Sequence, residues 1–175
     1  VARGSALAEL VLVVEALGRK LAPEPIAGAL AMGGFALALG GSPALKAAWL
    51  PAVLEGRKVV ALAHQEPSAR YDLALVATRA EAKGSGHVLS GRKAQVLDAV
   101  GADAVIVPAR TSGKVGDRDG ITLFLVEQGA PGLTVERQAP RRWPQRGPRR
   151  PGRRGLRPGV DRGRGRRGGE ACSRR

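Results

Sequence analysis

Few side chains in this chain could do chemistry, and their types narrow what that chemistry is. His64 and His87 are the only histidines, and Cys172 is the only cysteine. A single thiol can form neither an intrachain disulfide nor a thiolate cluster, and it fits a reducing compartment. Neither histidine has partners at ligand spacing, so no metal is expected and both read as ordinary surface or half-buried strand residues. Gly84 and Gly86 form a Gly-x-Gly in KGSGHVLSG. That segment stands between two strand-like runs and opens no helix, which excludes a phosphate cradle on context. Glu66-Pro67 ends one apolar run, and Gly91-x-Lys93 follows another. Both pairs also read as plain turn chemistry.

The elements that must hold these residues change character along the chain. Leu7, Leu10, Val11, Val14, Leu17 and Leu21 recur at helical spacing behind a capping Ser5, and Gly18 and Pro23 close that helix. Residues 26–39 predict a second helix made of small residues. Pro43 suits the first turn of a third, which runs to about Leu54. From Lys58 onward the runs are short and several are β-branched: 59–63, 71–80, 87–91, 94–97, 102–110, 121–127 and 133–137, with glycines between them. Helices followed by strands, without β-α-β alternation, predict an α+β fold. The expected arrangement is a helical segment followed by an antiparallel, barrel-like β-domain.

Charge divides the chain near Pro140. Residues 1–140 carry 15 Lys+Arg against 13 Asp+Glu, whereas residues 141–175 carry 14 Arg, no Lys, and only Asp161 and Glu170 as acids. Overall basicity therefore says nothing about the body. The tail is Arg, Gly and Pro with too few apolar residues to bury, so it is expected to be disordered. Basicity through Arg alone is what out-of-frame translation of GC-rich DNA produces, and that is the expectation here. The alternative is an Arg-rich arm that binds nucleic acid non-specifically through phosphates, with Trp143 as its one stacking platform. Glu9 and Glu15 interrupt the first apolar stretch, so no secretory signal is expected and the location expected is cytoplasmic. Residues 25–45 carry no charge, but their Ala/Gly content predicts closely packed helices in preference to a membrane span.

Taken in order, the body resembles the acyl-CoA dehydrogenase family. ELVLVVEALGRKLAPEPIA resembles that family's helix ending in Glu-Leu-Gly-Arg-x-Leu-Ala-Pro-x-Pro. LPAVLEGRKVVALAHQEP resembles its Leu-Pro-x-Leu-x-x-Gly passage into a strand that ends in Glu-Pro. GSGHVLSGRK resembles its Gly-x-x-Leu-x-Gly-x-Lys hairpin, and ADAVIVPAR, DGITLFLVEQGAPGLTV and ERQ complete the order. The resemblance implies a partial N-terminal helical domain at 1–56, a middle β-domain at 57–138 and an added tail at 139–175.

It also implies the chemistry of that family: FAD-dependent α,β-dehydrogenation of an acyl-CoA thioester by a homo- or hetero-oligomer. The residues it places on the cofactor are Gln65, Glu66, Pro67, Gln95, Val96 and Leu97, and on the substrate Tyr71 and Asp72. Three departures stand out. Gln65 replaces the usual Thr or Ser, Tyr71 replaces a serine, and Gln95-Val96-Leu97 replaces the frequent Trp-Ile-Thr/Ser. The family's C-terminal helical bundle, which carries the catalytic carboxylate, has no counterpart here, so no residue is assigned as catalytic. The expectation is a fragment inactive by itself. A non-catalytic subunit of a heteromeric enzyme is the alternative that the departures at Gln65 and Tyr71 fit.

Overall fold

The computed structural model describes residues 5–22, 24–69, 71–84, 86–137 and 170–172. Three helical pieces come first: α1 (Ser5–Arg19), a π-wound stretch (Ile26–Gly34) that runs on into α2 (Phe35–Gly40), and α3 (Pro43–Leu54). α3 starts where its sequence dictates. The Ser42 hydroxyl accepts from the Leu45 amide at 3.2 Å, and Pro43 occupies the first turn, where a missing N–H costs nothing. α1 carries the expected stripe as far as Leu17, while Leu21 lies past its end with φ +52°, and little covers the helix: Val11, Leu12, Val13 and Val14 are 37–65% exposed.

The strands are β1 (Val60–Leu62), β2 (Arg79–Lys83), β3 (Gly86–Ser90), β4 (Ala104–Arg110), β5 (Ile121–Glu127) and β6 (Glu170–Cys172). They form one mixed sheet in the order β3-β2-β4-β5-β6, with β1 paired to β4 off that path. β2–β3, β4–β5 and β5–β6 are antiparallel, but β1 runs parallel to β4, with Val60 opposite Ala104. The all-antiparallel expectation is therefore corrected. Residues 63–103 separate β1 from β4, which is the long crossover that a parallel pair requires and no tight turn can provide. Nor is the sheet a hydrogen-bonded closed barrel among the described residues. β2 meets β4 at the single parallel pair Arg79–Arg110, and the His87 ring on β3 reaches the Phe124 ring on β5 with centroids 5.0 Å apart.

Pro108 lies inside β4, which is buried throughout. The Arg110 amide donates to Thr78 O, and the Ile106 carbonyl accepts from Ala63 N, so even-numbered residues of β4 turn their polar groups toward β1 and β2. Pro108 falls between the end of β1 and the start of β2, where no partner waits for an N–H.

Alternation along β4 makes two cores. Ala104 and Ile106 pack with Val60, Leu125 and the helical Leu37, Leu45, Trp49 and Val53. Val105 and Val107 pack with Ala63 and Val126, and with Leu89, Val96 and Leu133 at the margin. The helices thus cover one face of the sheet. Gly33 sets how closely, because a Cβ there would overlap the Val60 carbonyl. Gly33→Ala, which helix propensity alone would favour by about 1 kcal/mol, is expected to destabilise by roughly 2–4 kcal/mol, read from the urea midpoint.

Of the runs expected as strands, 94–97 and 133–137 are not strands, and 71–80 is strand only at its last two residues, where β2 begins. Residues 71–78 are turns, opened by Asp72, whose carboxylate accepts from the Ala74 amide at 2.9 Å. Residues 94–97 form a loop in which Gln95 has φ +51°. The helix expected over 26–39 is found, π-wound for most of its length. Among the described residues no helix is long and apolar enough to cross a membrane. Of residues 139–175, expected to be disordered, only 170–172 are among those described, and they make the strand β6.

Candidate functional site

Three separate stretches converge on one carboxylate. Glu66 lies just past β1 and is buried. Its Oε2 accepts from the Ala77 amide at 2.8 Å, and its Oε1 from the Thr78 amide at 3.0 Å and the Thr78 hydroxyl at 2.6 Å. The Lys93 ammonium donates to the same Oε1 at 2.7 Å. Burial by itself would raise the Glu66 pKa. The Lys93 ammonium, the Thr78 hydroxyl and the two amides outweigh it and hold the group at about 2. Lys93 is shifted down by its own burial, and the Glu66 carboxylate partly offsets that shift.

A carboxylate with four donors on it and a pKa near 2 is a structural anion, unsuited to taking a proton from carbon. It also sets an acid response. The folded pKa lies below the ordinary value of 4.5, so the stability it gives is complete above about pH 5 and is lost as pH falls toward 2. That loss is about 3 kcal/mol. Denaturant midpoints measured from pH 6 to 2 are expected to fall accordingly, and the fall is expected to be absent in Glu66→Gln.

The Glu66 cluster joins the two segments singled out in the sequence. The Ala94 amide donates to Gln65 O at 2.9 Å, which sets the end of β1 beside the loop after β3. Gly91 makes this approach possible, since a Cβ there would lie 2.7 Å from Thr78 Cα. Gln65 is half-buried; Pro67 and Gln95 are exposed. Val96 is half-buried against the second core, and exposed Leu97 has its Cβ against Gly28 of the π-wound stretch. Among the described residues, the amides of Gln65, Gln95, Val96 and Leu97 donate no hydrogen bond. Tyr71 and Asp72 sit apart. Two successive turns, Ala69 N to Glu66 O and Asp72 N to Ala69 O, carry the chain to them, and Tyr71 is 92% exposed. His64, next to Gln65, has a buried Nδ1 without a partner. Among the described residues no three His, Cys, Asp or Glu gather as metal ligands would.

The sequence reading missed Arg110. Its buried guanidinium donates to five carbonyls: Asp117 and Asp119 at 2.9 Å, Ala74 at 3.1 Å, Val76 at 3.2 Å and Ser112 at 3.4 Å. It ties the turns after Asp72 to the β4–β5 connection. The available signal was an arginine ending an apolar run just before a Gly/Ser/Asp-rich connection, where buried carbonyls need donors.

Residues 61–149 match the family model for the acyl-CoA dehydrogenase middle domain. Cyclohex-1-ene-1-carbonyl-CoA dehydrogenase of Geobacter metallireducens is 37% identical over 130 residues, covering 73% of this chain and 34% of that protein. A Tcur3481–Tcur3483 steroid ACAD variant superposes with TM-score 0.64 at 34% identity, over 75% of this chain and 34% of its own. The FAD complex of PigA superposes with TM-score 0.54 at 32% identity, over 57% of this chain and 26% of its own. The chain spans between 23% and 34% of the length of the first curated relatives it matches.

Proposed function

This chain belongs to the acyl-CoA dehydrogenase family, and from that premise we propose that residues 57–138 are the flavin-facing β-domain of an FAD-dependent acyl-CoA dehydrogenase. FAD is the cofactor of the parent family. The residues present fit such a group. A flavin's pyrimidine edge needs donors, and this chain brings together the unspent amides of Gln65, Gln95, Val96 and Leu97 and two glutamine side chains. The observation that supports the reading is the Ala94–Gln65 bond, which sets the two segments side by side. Bound there, FAD would supply the acceptor for the substrate's hydride.

The chain's own part is binding and orientation. Gln65 and Gln95–Leu97 hold the ring edge, Pro67 shapes the turn beside it, and exposed Tyr71 and Asp72 face the acyl-CoA thioester. Glu66 serves from behind that surface. With its carboxylate committed internally Glu66 is unsuited to remove the α-proton, Asp72 is engaged by the Ala74 amide and is assigned to binding, and the purified chain is expected to turn over no acyl-CoA. The exposed apolar face of α1 supports assembly with further protein surface, in a homo- or hetero-oligomer in the cytoplasm. The reading of the tail as out-of-frame sequence, or as a nucleic-acid-binding arm, falls almost wholly outside the described residues. Translating all three frames of the coding DNA tests it.

A fluorescence titration with FAD tests the site itself. Gln65→Leu/Gln95→Leu is expected to weaken binding about tenfold, the loss of two modest hydrogen bonds. Unchanged affinity in that variant would contradict the assignment.

A further inference from the structure

We propose that Glu66, Thr78 and Lys93 are positioning residues for the flavin-facing surface, and that the Lys93–Glu66 contact holds the 94–97 loop in register with Gln65. This rests on the reading of that surface given above, and it moves Glu66 from a residue that touches cofactor to one that acts through others.

The argument is geometric. Lys93 is the residue immediately before Ala94, whose amide makes the bond to Gln65 O. Glu66 is the residue immediately after Gln65. The 2.7 Å Lys93–Glu66 contact and the 2.9 Å Ala94–Gln65 bond are therefore adjacent rungs between the same two segments. Thr78 holds the far side. Its amide and hydroxyl bond Glu66, while its backbone lies against Gly91, two residues before Lys93. One side chain from each of three stretches thus fixes where Gln65 stands relative to Gln95. The loop has few other constraints. Gln95 and Asp98 both have positive φ, at +51° and +60°, and only Val96 of residues 95–97 packs into a core. An ion pair whose carboxylate already accepts four hydrogen bonds from the chain itself positions the neighbouring surface without joining it.

The test uses the full chain and the variants Lys93→Met and Glu66→Gln/Lys93→Met. The second removes the ion pair while leaving no buried charge unpaired, so it stays folded if the first does not. Two readouts are taken. The first, without flavin, is hydrogen exchange at the Ala94 amide, with β4–β5 amides as the reference for global stability. Exchange at Ala94 is expected to speed up tenfold or more beyond the change at the reference amides. The second is FAD affinity under conditions where every variant is folded, expected to fall about tenfold in the double variant. A role in stability alone would move the reference amides and leave the affinity of folded protein unchanged. Ala94 exchange that follows the reference amides, or double-variant affinity within threefold of the unsubstituted chain, overturns the proposal. If the unsubstituted chain fails to bind FAD, the flavin reading fails, and Ala94 exchange still decides whether the cluster positions the loop.

Discussion

Glu66→Gln is expected to lower stability by about 3–5 kcal/mol at neutral pH, and Glu66→Gln/Lys93→Met is expected to lower it by less. The order is unusual, because the variant with more changes is the more stable one. It follows from what each leaves behind. In Glu66→Gln the Lys93 ammonium stays buried opposite a neutral amide, and breaking a buried pair from one side costs on this scale. The Ala77 amide also loses its acceptor whenever the glutamine turns its NH2 toward it. Adding Lys93→Met removes the stranded charge and fills the stem's volume with an apolar side chain. Glutamine still offers an oxygen to the Thr78 hydroxyl and amide. Chemical denaturation of the two variants and of Lys93→Met completes a double-mutant cycle. A coupling near zero would mean that the pair contributes nothing beyond its separate groups.

Arg110→Lys is expected to cost about 3 kcal/mol, nearly as much as Arg110→Ala, even though it keeps the charge. A guanidinium presents five N–H donors in a fixed plane, and Arg110 directs its donors at five backbone carbonyls. An ammonium has three donors on a flexible stem. At least two of those carbonyls would lose their partner, and each buried acceptor left unmet costs about 1–3 kcal/mol. The damage should be regional as well as global. Arg110 joins Ala74 and Val76, in the turns that follow Tyr71 and Asp72, to the connection at 112–119. Faster amide exchange at 72–76 and 112–119 is the expected signature. Exchange confined to β4 would mean that the clamp does not organise those loops.

What could be read from the sequence follows from how local each cause is. Pro43 and the apolar run after it mark α3 because a first-turn proline acts within one turn of the helix. The β4–β5 hairpin is legible for the same reason: Gly116 and Gly120, at φ +98° and +80°, stand in a connection between two β-branched runs. The parallel pairing of Val60 with Ala104 is not legible, since nothing near either residue names its distant partner. The end of β1 and the loop at 95–97 could be singled out as one site by resemblance alone. Of the three residues we propose to hold them together, Glu66 and Lys93 read in sequence as turn chemistry, and Thr78 lies in a run expected as a strand. Arg110 escapes because its partners are carbonyls, which every residue has.

Backbone amide chemical shifts followed through an FAD titration of the full chain test the central claim most directly. The account predicts that Gln65, Gln95, Val96 and Leu97 shift together, with Ala94, whose bond to Gln65 lies between them, following. Amides around Arg110 and on α1 should stay in place. Shifts that spare the end of β1 and the 95–97 loop, or no shifts at all at saturating FAD, would contradict it.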